Sequence, residues 1–177
     1  MPHRSDRLAF QKKQFSKHFI EPFIRVEPIR VQYSCNFLNK SVRSVYLSHL
    51  KIIKKAINDK GVVLILEDDA LIRNFHKVKE SLNFLFTKIN DWDMFYFYNL
   101  SVDRFATKKT IEDNIVDKFS ELCKIKKCIE LHAYVINKKK LSFIYDILNN
   151  IKNIIESSEN KWDYRSHIDQ VLSLIHI

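Results

Sequence analysis

Hydrophobic residues recur along this chain with two different spacings, and each spacing predicts one kind of element. Apolar positions three and four residues apart are typical of amphipathic helices. They predict helices over 5–18, 41–57, 75–89, 141–155 and 166–175. Short continuous or alternating apolar runs predict strands. These runs lie at 23–29, 62–66, 94–98 and 128–136, with loops at 30–40 and 99–113. Strands that alternate with helices predict one α/β domain with a mostly parallel sheet flanked by helices.

The stretch from Gly61 to Ala70 is the centre of this pattern. It contains the only glycine of the sequence, a five-residue apolar run and then Glu67, Asp68 and Asp69. The run predicts a strand buried on both faces, and ligands of open parallel sheets lie beyond the carboxyl ends of such strands. Three adjacent carboxylates repel one another, and a divalent cation would relieve that repulsion. The alternative is a solvated turn whose acids cap the following helix.

Composition narrows the function classes. The 177 residues carry a net charge of +9 and are 46% hydrophobic, enough for a real core. The positive charge favours binding to polyanions such as nucleic acid, acidic glycolipid surfaces or phosphorylated substrates. A single glycine excludes a phosphate-binding glycine loop, and three cysteines indicate no disulfide framework. Without a signal peptide or an apolar span of about 20 residues, we expect a cytoplasmic protein that contacts an anionic membrane surface peripherally.

Several short motifs occur in a recognisable order. They are Arg4-x-x-Arg7, Ser48-His49, Ile65-Leu66-Glu67-Asp68-Asp69, Trp92-Asp93, His132-Ala133-Tyr134-Val135-Ile136 and Asp169-Gln170-Val171-Leu172. Together they resemble glycosyltransferase family 25, which contains bacterial lipopolysaccharide glycosyltransferases and procollagen galactosyltransferases. Each motif is short, so the order carries the specificity of the resemblance.

The resemblance implies a GT-A-type, Rossmann-like fold that binds a nucleotide sugar, commonly a UDP-hexose, through Mn²⁺ or Mg²⁺. Its implied activity is transfer of a hexose, galactose or glucose, to a glycan, a lipopolysaccharide-like glycolipid or a protein-linked acceptor. A protein-held cation would neutralise the diphosphate leaving group.

The resemblance also suggests roles for individual residues. Glu67 and Asp69 are expected to hold the metal, because side chains alternate along an extended segment. Asp68 then faces the donor or the core, and it is assigned to donor binding. The donor-binding set is completed by Ser48, Arg4 and Arg7.

Two further residues are candidates for catalysis. Asp169 is a candidate general base for an inverting transfer, with a helix-start carboxylate as the alternative. His49 is a candidate catalytic residue that orients the acids or contacts phosphate, with a core histidine as the alternative. Asp93 is expected to cap the strand that follows it.

The sequence departs from the family pattern at three places. The strand that usually precedes the arginines is missing, Ser44-Val45 replaces a Gly-Cys pair, and the chain ends soon after Asp169. We therefore expect residues 1–177 to be an incomplete family 25-like domain. One alternative is a non-catalytic, degenerate domain. A second is a basic nucleic-acid-binding protein or metal-dependent nuclease, although the scattered lysines and the lack of a recognised motif argue against specific nucleic-acid binding.

Overall fold

The computed structural model describes residues 5–16, 24–34, 40–59, 62–97, 115–119, 122–125 and 133–157. The α-helices in these ranges are α1 (Ser5–Ser16), α2 (Lys40–Ile57), α3 (Phe75–Lys88) and α4 (Leu141–Ser157), and a short 3-10 helix, Lys138–Lys140, leads into α4. The strands are β1 (Val63–Leu66), β2 (Met94–Tyr96), β3 (Ile115–Phe119), β4 (Leu122–Ile125) and β5 (Ala133–Ile136). Four of the predicted helices and three of the predicted strands are confirmed. The helix predicted for 166–175 and the loop predicted for 99–113 lie outside the described residues.

The described strands form two antiparallel sheets, not the mostly parallel sheet that the sequence predicted. The larger sheet has the order β1-β5-β2, and β3 pairs with β4 in a separate hairpin. Strands β1 and β2, which precede and follow α3 in the sequence, run in the same direction. Strand β5 lies between them in the sheet and is antiparallel to both. The prediction failed because a continuous apolar run reports burial, which does not depend on strand direction.

The strand buried on both faces is β5 and not β1. All four residues of β5 are buried, whereas Ile65 is the only buried residue of β1. Within the described sheet β5 is the central strand and β1 has one partner. The acid residues therefore follow a half-buried strand that is anchored by its pairing to β5.

The core lies on one face of the larger sheet, beneath α2 and α4. The residues that form it are Tyr46, Leu50, Ile53, Ala56, Ile65, Met94, Tyr134, Ile136, Leu141, Ile144 and Leu148. The spacing of the apolar residues places them on one face of each helix. Each fully buried aliphatic side chain of this kind contributes about 1.5–3 kcal/mol. The Tyr46 hydroxyl also donates a hydrogen bond to the Leu148 carbonyl at 2.6 Å, which ties α2 to α4.

The strand predicted for 23–29 does not form within 24–34, where the chain has no regular structure. Its backbone is bound to side chains of α2 instead. The Ile29 N–H donates to Ser48 Oγ at 2.8 Å, and the Val31 N–H donates to Ser44 Oγ at 3.2 Å. At these two positions serine hydroxyls satisfy the amides in place of a partner strand. No helix in the described ranges is long and apolar enough to cross a bilayer.

Candidate active site

The three acids follow β1 in a tight turn, which we call the acid turn (residues 67–70). The Ala70 N–H donates to the Glu67 carbonyl at 3.2 Å, so Asp68 and Asp69 occupy the two central positions of a β-turn. Their carboxylates are exposed, while Glu67 is half-buried. The expected alternation of an extended segment does not hold here, because the chain turns. Asp68 and Asp69 consequently share one partner and Glu67 has another.

The shared partner is Arg7 on α1. Its Nη1 donates to Asp68 Oδ1 at 2.7 Å and lies 3.5 Å from Asp69 Oδ2. The hydrogen bond to Asp68 is the main cause that raises the pKa of the Arg7 guanidinium above its ordinary value. One fixed positive charge therefore offsets much of the repulsion between two adjacent carboxylates. Arg7, which the sequence analysis expects to bind the donor, thus lies beside two of the acids, and its role in donor binding stays a prediction.

Two glutamines of α1 bind the backbone of the acid turn and the residues after it. Gln11 is buried, and its Nε2 donates to the Ala70 carbonyl at 2.8 Å and to the Asp68 carbonyl at 3.3 Å. Gln14 donates to the Ala70 carbonyl at 3.3 Å and accepts from the Ile72 N–H at 2.9 Å. Sequence reasoning missed both residues. The signal that points to them is their spacing from Arg7, since positions 7, 11 and 14 lie on one helical face.

Glu67 contacts the buried His49 of α2. The His49 Nε2 lies 3.4 Å from a Glu67 carboxylate oxygen, which is longer than an ordinary hydrogen bond but within reach of electrostatic attraction. The His49 Nδ1 lies 2.8 Å from the hydroxyl of Tyr134 in β5. The two rings also stack, with centroids 5.8 Å apart.

When His49 is neutral, these contacts favour one of its two ring nitrogens as the site of the proton. An ionised Glu67 only accepts hydrogen bonds, so it favours the tautomer with a proton on Nε2. Nδ1 is then an acceptor, and the Tyr134 hydroxyl donates to it. Burial, with a smaller effect from Glu67, raises the pKa of Tyr134 and keeps this hydroxyl protonated. Both nitrogens of His49 face protein groups, which favours an orienting role over direct contact with a substrate.

Ser48 and Asp93 have local structural contacts. Ser48 precedes His49 in sequence, but its hydroxyl accepts from the Ile29 N–H and donates to the Ser44 carbonyl at 2.6 Å. Asp93 lies 3.1 Å from Lys140 Nζ, and its carbonyl accepts from the Asn137 N–H. The Asn137 side chain also donates to the Trp92 carbonyl at 2.7 Å, so the Trp92-Asp93 pair joins the start of β2 to the turn after β5. The strand-capping role expected for Asp93 stays a prediction.

Arg4 and Asp169 lie outside the described residues, so their roles stay predictions. In the described ranges, no group of three or more His, Cys, Asp or Glu side chains is arranged to hold a metal ion. Mg²⁺ commonly binds through one or two carboxylates together with substrate phosphates and water. The exposed pair Asp68 and Asp69 offers that kind of partial oxygen ligand set.

A comparison with known families identifies the family of this chain. The sequence profile of glycosyltransferase family 25, described as an LPS biosynthesis protein family, matches residues 8–162. The chain belongs to glycosyltransferase family 25. The match spans the whole of the described acid turn, α2 and β5. No curated protein and no solved structure matches the chain in the same comparisons.

Membership of family 25 gives the acid turn its context. The family points to a glycosyltransferase, and some of the residues that carried the resemblance lie together at the end of β1. Arg7 of α1 contacts Asp68 and Asp69, and His49 of α2 contacts Glu67 at the end of β1. Ser48 contacts the 24–34 segment instead. The candidate active site of this family 25 domain is therefore the acid turn.

Proposed function

We propose that this family 25 domain transfers a hexose, galactose or glucose, from a UDP-sugar to a glycan, a lipopolysaccharide-like glycolipid or a protein-linked acceptor. The observation that carries the proposal is the acid turn at the end of β1, with Arg7 bound across Asp68 and Asp69. A guanidinium and adjacent carboxylates at the carboxyl end of a strand suit a ligand that carries both phosphate and hydroxyl groups. Arginine binds phosphate oxygens through charge-assisted hydrogen bonds, and carboxylates accept from sugar hydroxyls.

A divalent cation, Mn²⁺ or Mg²⁺, is part of the proposal. Asp69 would hold it with Asp68 or Glu67, and the diphosphate of the donor would supply further oxygen ligands. The cation would neutralise charge on the departing diphosphate. Asp68 and Asp69 are suited to this role by their exposure, and the cation would share their oxygens with the Arg7 guanidinium.

His49 acts in this proposal as a positioning residue. Its contacts with Glu67 and Tyr134 connect the acid turn to the buried centre of β5. A preorganised carboxylate costs no rearrangement when the donor binds. Asp169 is proposed as the general base that removes the acceptor hydroxyl proton, which an inverting transfer requires.

The experiment that tests the proposed function is calorimetric titration of UDP-galactose, UDP-glucose and UDP, with and without Mn²⁺. We expect binding that depends on Mn²⁺ and is lost in Asp69→Ala. Asp146→Ala is the matched control, because Asp146 is an exposed carboxylate on the remote helix α4. The control should bind like the wild type.

Two results would contradict the proposal. The first is no binding of any of the three ligands by the wild-type protein, which would favour a non-catalytic domain. The second is equal binding by Asp69→Ala and wild type, which would remove the acid turn from the donor site. An acceptor screen with the preferred UDP-sugar follows only after donor binding is established.

A further inference from the structure

Side chains of helix α1 bind the backbone of the acid turn as well as its charged side chains. Gln11 is only 3% exposed, although glutamine is ordinarily a surface residue. A buried amide must have hydrogen-bond partners, since an unpaired one costs about 1–3 kcal/mol. In this protein the partners of the Gln11 Nε2 are the carbonyls of Asp68 and Ala70. The buried amide is therefore satisfied by the very segment that carries the acids.

Gln14 extends the same arrangement. Its Nε2 donates to the Gln11 Oε1 at 2.9 Å and to the Ala70 carbonyl, while its Oε1 accepts from the Ile72 N–H. The side-chain orientation of both glutamines is fixed by these partners, because carbonyls accept only and an N–H donates only. Two side chains thus satisfy three backbone groups of residues 68–72.

This connection matters because the acid turn lies in a segment without regular secondary structure. Asp68 and Asp69 are exposed, and so is Leu71, at 58%. Residues 67–74 contain no helix or strand. Backbone angles at 68 and 69 determine where their carboxylates point. Groups that fix this backbone consequently fix the geometry of the carboxylates.

We propose that Gln11, assisted by Gln14, is a positioning residue that holds the acid turn in the conformation required for nucleotide-sugar binding. This inference rests on the proposed function for its ligand. Arg7 fixes the ends of the two aspartate side chains, and the glutamines fix their backbone. Helix α1 therefore positions the acid turn through one of its faces, on which Arg7, Gln11 and Gln14 lie at successive turns.

The variant that tests the inference is Gln11→Met. Methionine has a similar length and helix propensity to glutamine, but it has no amide to donate. Removing a group that orients a metal ligand commonly lowers metal affinity or activity by about 10–100-fold. We expect Gln11→Met to bind UDP with Mn²⁺ at least about tenfold more weakly than the wild type. Gln11→Glu, which faces two carbonyls with a carboxylate, should bind no better than Gln11→Met.

A stability control separates the loss of a positioning contact from a general loss of fold stability. Ile144→Val removes one methylene from the core of α4 and is expected to cost about 0.5–1.5 kcal/mol. It should lower the melting temperature but leave UDP affinity unchanged. Gln14→Met, at a half-buried position, is a milder second variant should Gln11→Met fail to fold. It should weaken UDP binding in the same direction.

A second readout does not depend on ligand. Hydrogen exchange measured on the peptide that covers residues 67–73 should become faster in Gln11→Met and stay unchanged in Ile144→Val. Unchanged UDP affinity in Gln11→Met, or an affinity loss equal to that of Ile144→Val, would overturn the inference. Should the wild type bind no UDP, the proposed function fails, and the exchange experiment alone decides whether the glutamines hold the turn. If Gln11→Met then left the exchange rate unchanged, the claim that the glutamines hold the acid turn would also be overturned.

Discussion

The buried pair of His49 and Tyr134 gives the sharpest test of how this site is built. The Tyr134 hydroxyl lies 2.8 Å from His49 Nδ1, and both residues are buried. Tyr134→Phe removes one oxygen atom and keeps the ring that packs in the core. It leaves the Nδ1 of a buried imidazole without the donor that satisfies it.

The expected cost follows from that unsatisfied nitrogen. Leaving a buried acceptor unpaired costs about 1–3 kcal/mol. For a domain of this size, each kcal/mol lowers the melting temperature by about 2–4 °C. The expected drop in Tm is therefore about 2–12 °C. Tyr46→Phe should cost less, because the Leu148 carbonyl that it leaves behind lies within α4 and keeps its helical hydrogen bond.

Urea and thermal unfolding at neutral pH measure both variants. Tyr33→Phe is the control, since the Tyr33 side chain is on the surface, and it should change stability by less than about 0.5 kcal/mol. In a His49→Leu background, Tyr134→Phe should cost little, because both polar partners are then replaced by apolar groups. Equal stability of Tyr134→Phe and Tyr33→Phe would refute the reasoning, and so would a full Tyr134→Phe penalty without His49.

Four further predictions follow from contacts described above. Because the pKa of Tyr134 is raised above 10.0 in the fold, its contribution to stability is complete below pH 10 and lost above it. The wild type should therefore lose about 1.4 kcal/mol more per pH unit above pH 10 than Tyr134→Phe in urea titrations. Asn74→Ala removes the side chain that accepts from the Lys77 N–H at the start of α3, and should cost about 1 kcal/mol in urea unfolding. Ser48→Ala should speed hydrogen exchange of the Ile29 amide without weakening UDP binding, and weakened binding would return Ser48 to the donor site. Arg7→Gln should leave the melting temperature nearly unchanged, since its ion pairs are exposed, but should weaken UDP binding in calorimetry.

The helices of this protein were predictable, because their signal is local. Buried residues of α2 recur at helical spacing from Tyr46 to Ala56, and α3 begins beside an asparagine cap. Periodicity of this kind is set by the geometry of a single element. The hairpin of β3 and β4 gave no such signal, because its short strands mix charged and apolar residues.

Strand direction and the grouping of the acids were not predictable from the same reasoning. Burial of an apolar run does not reveal which neighbour runs which way, so the central position of β5 was missed. The alternation expected for Glu67 to Asp69 assumed an extended chain, and the backbone hydrogen bond from Ala70 replaces it with a turn. Gln11 was missed because its burial depends on a segment distant in sequence. Sequence pattern found where the acids lie, but tertiary contacts decide how they face.

The central position of β5 has a consequence for how the domain reaches its native state. Strands β1 and β2 have no partner in the described sheet except β5, whose residues Ala133–Ile136 come later in the chain than both. Val63 pairs with Ile136, so the sheet closes through contacts between residues far apart in sequence. Such closure costs loop entropy before any pairing stabilises it and slows folding. During synthesis the acid turn is made early, but β1 stays unpaired within this sheet until β5 has emerged and inserted between the two earlier strands.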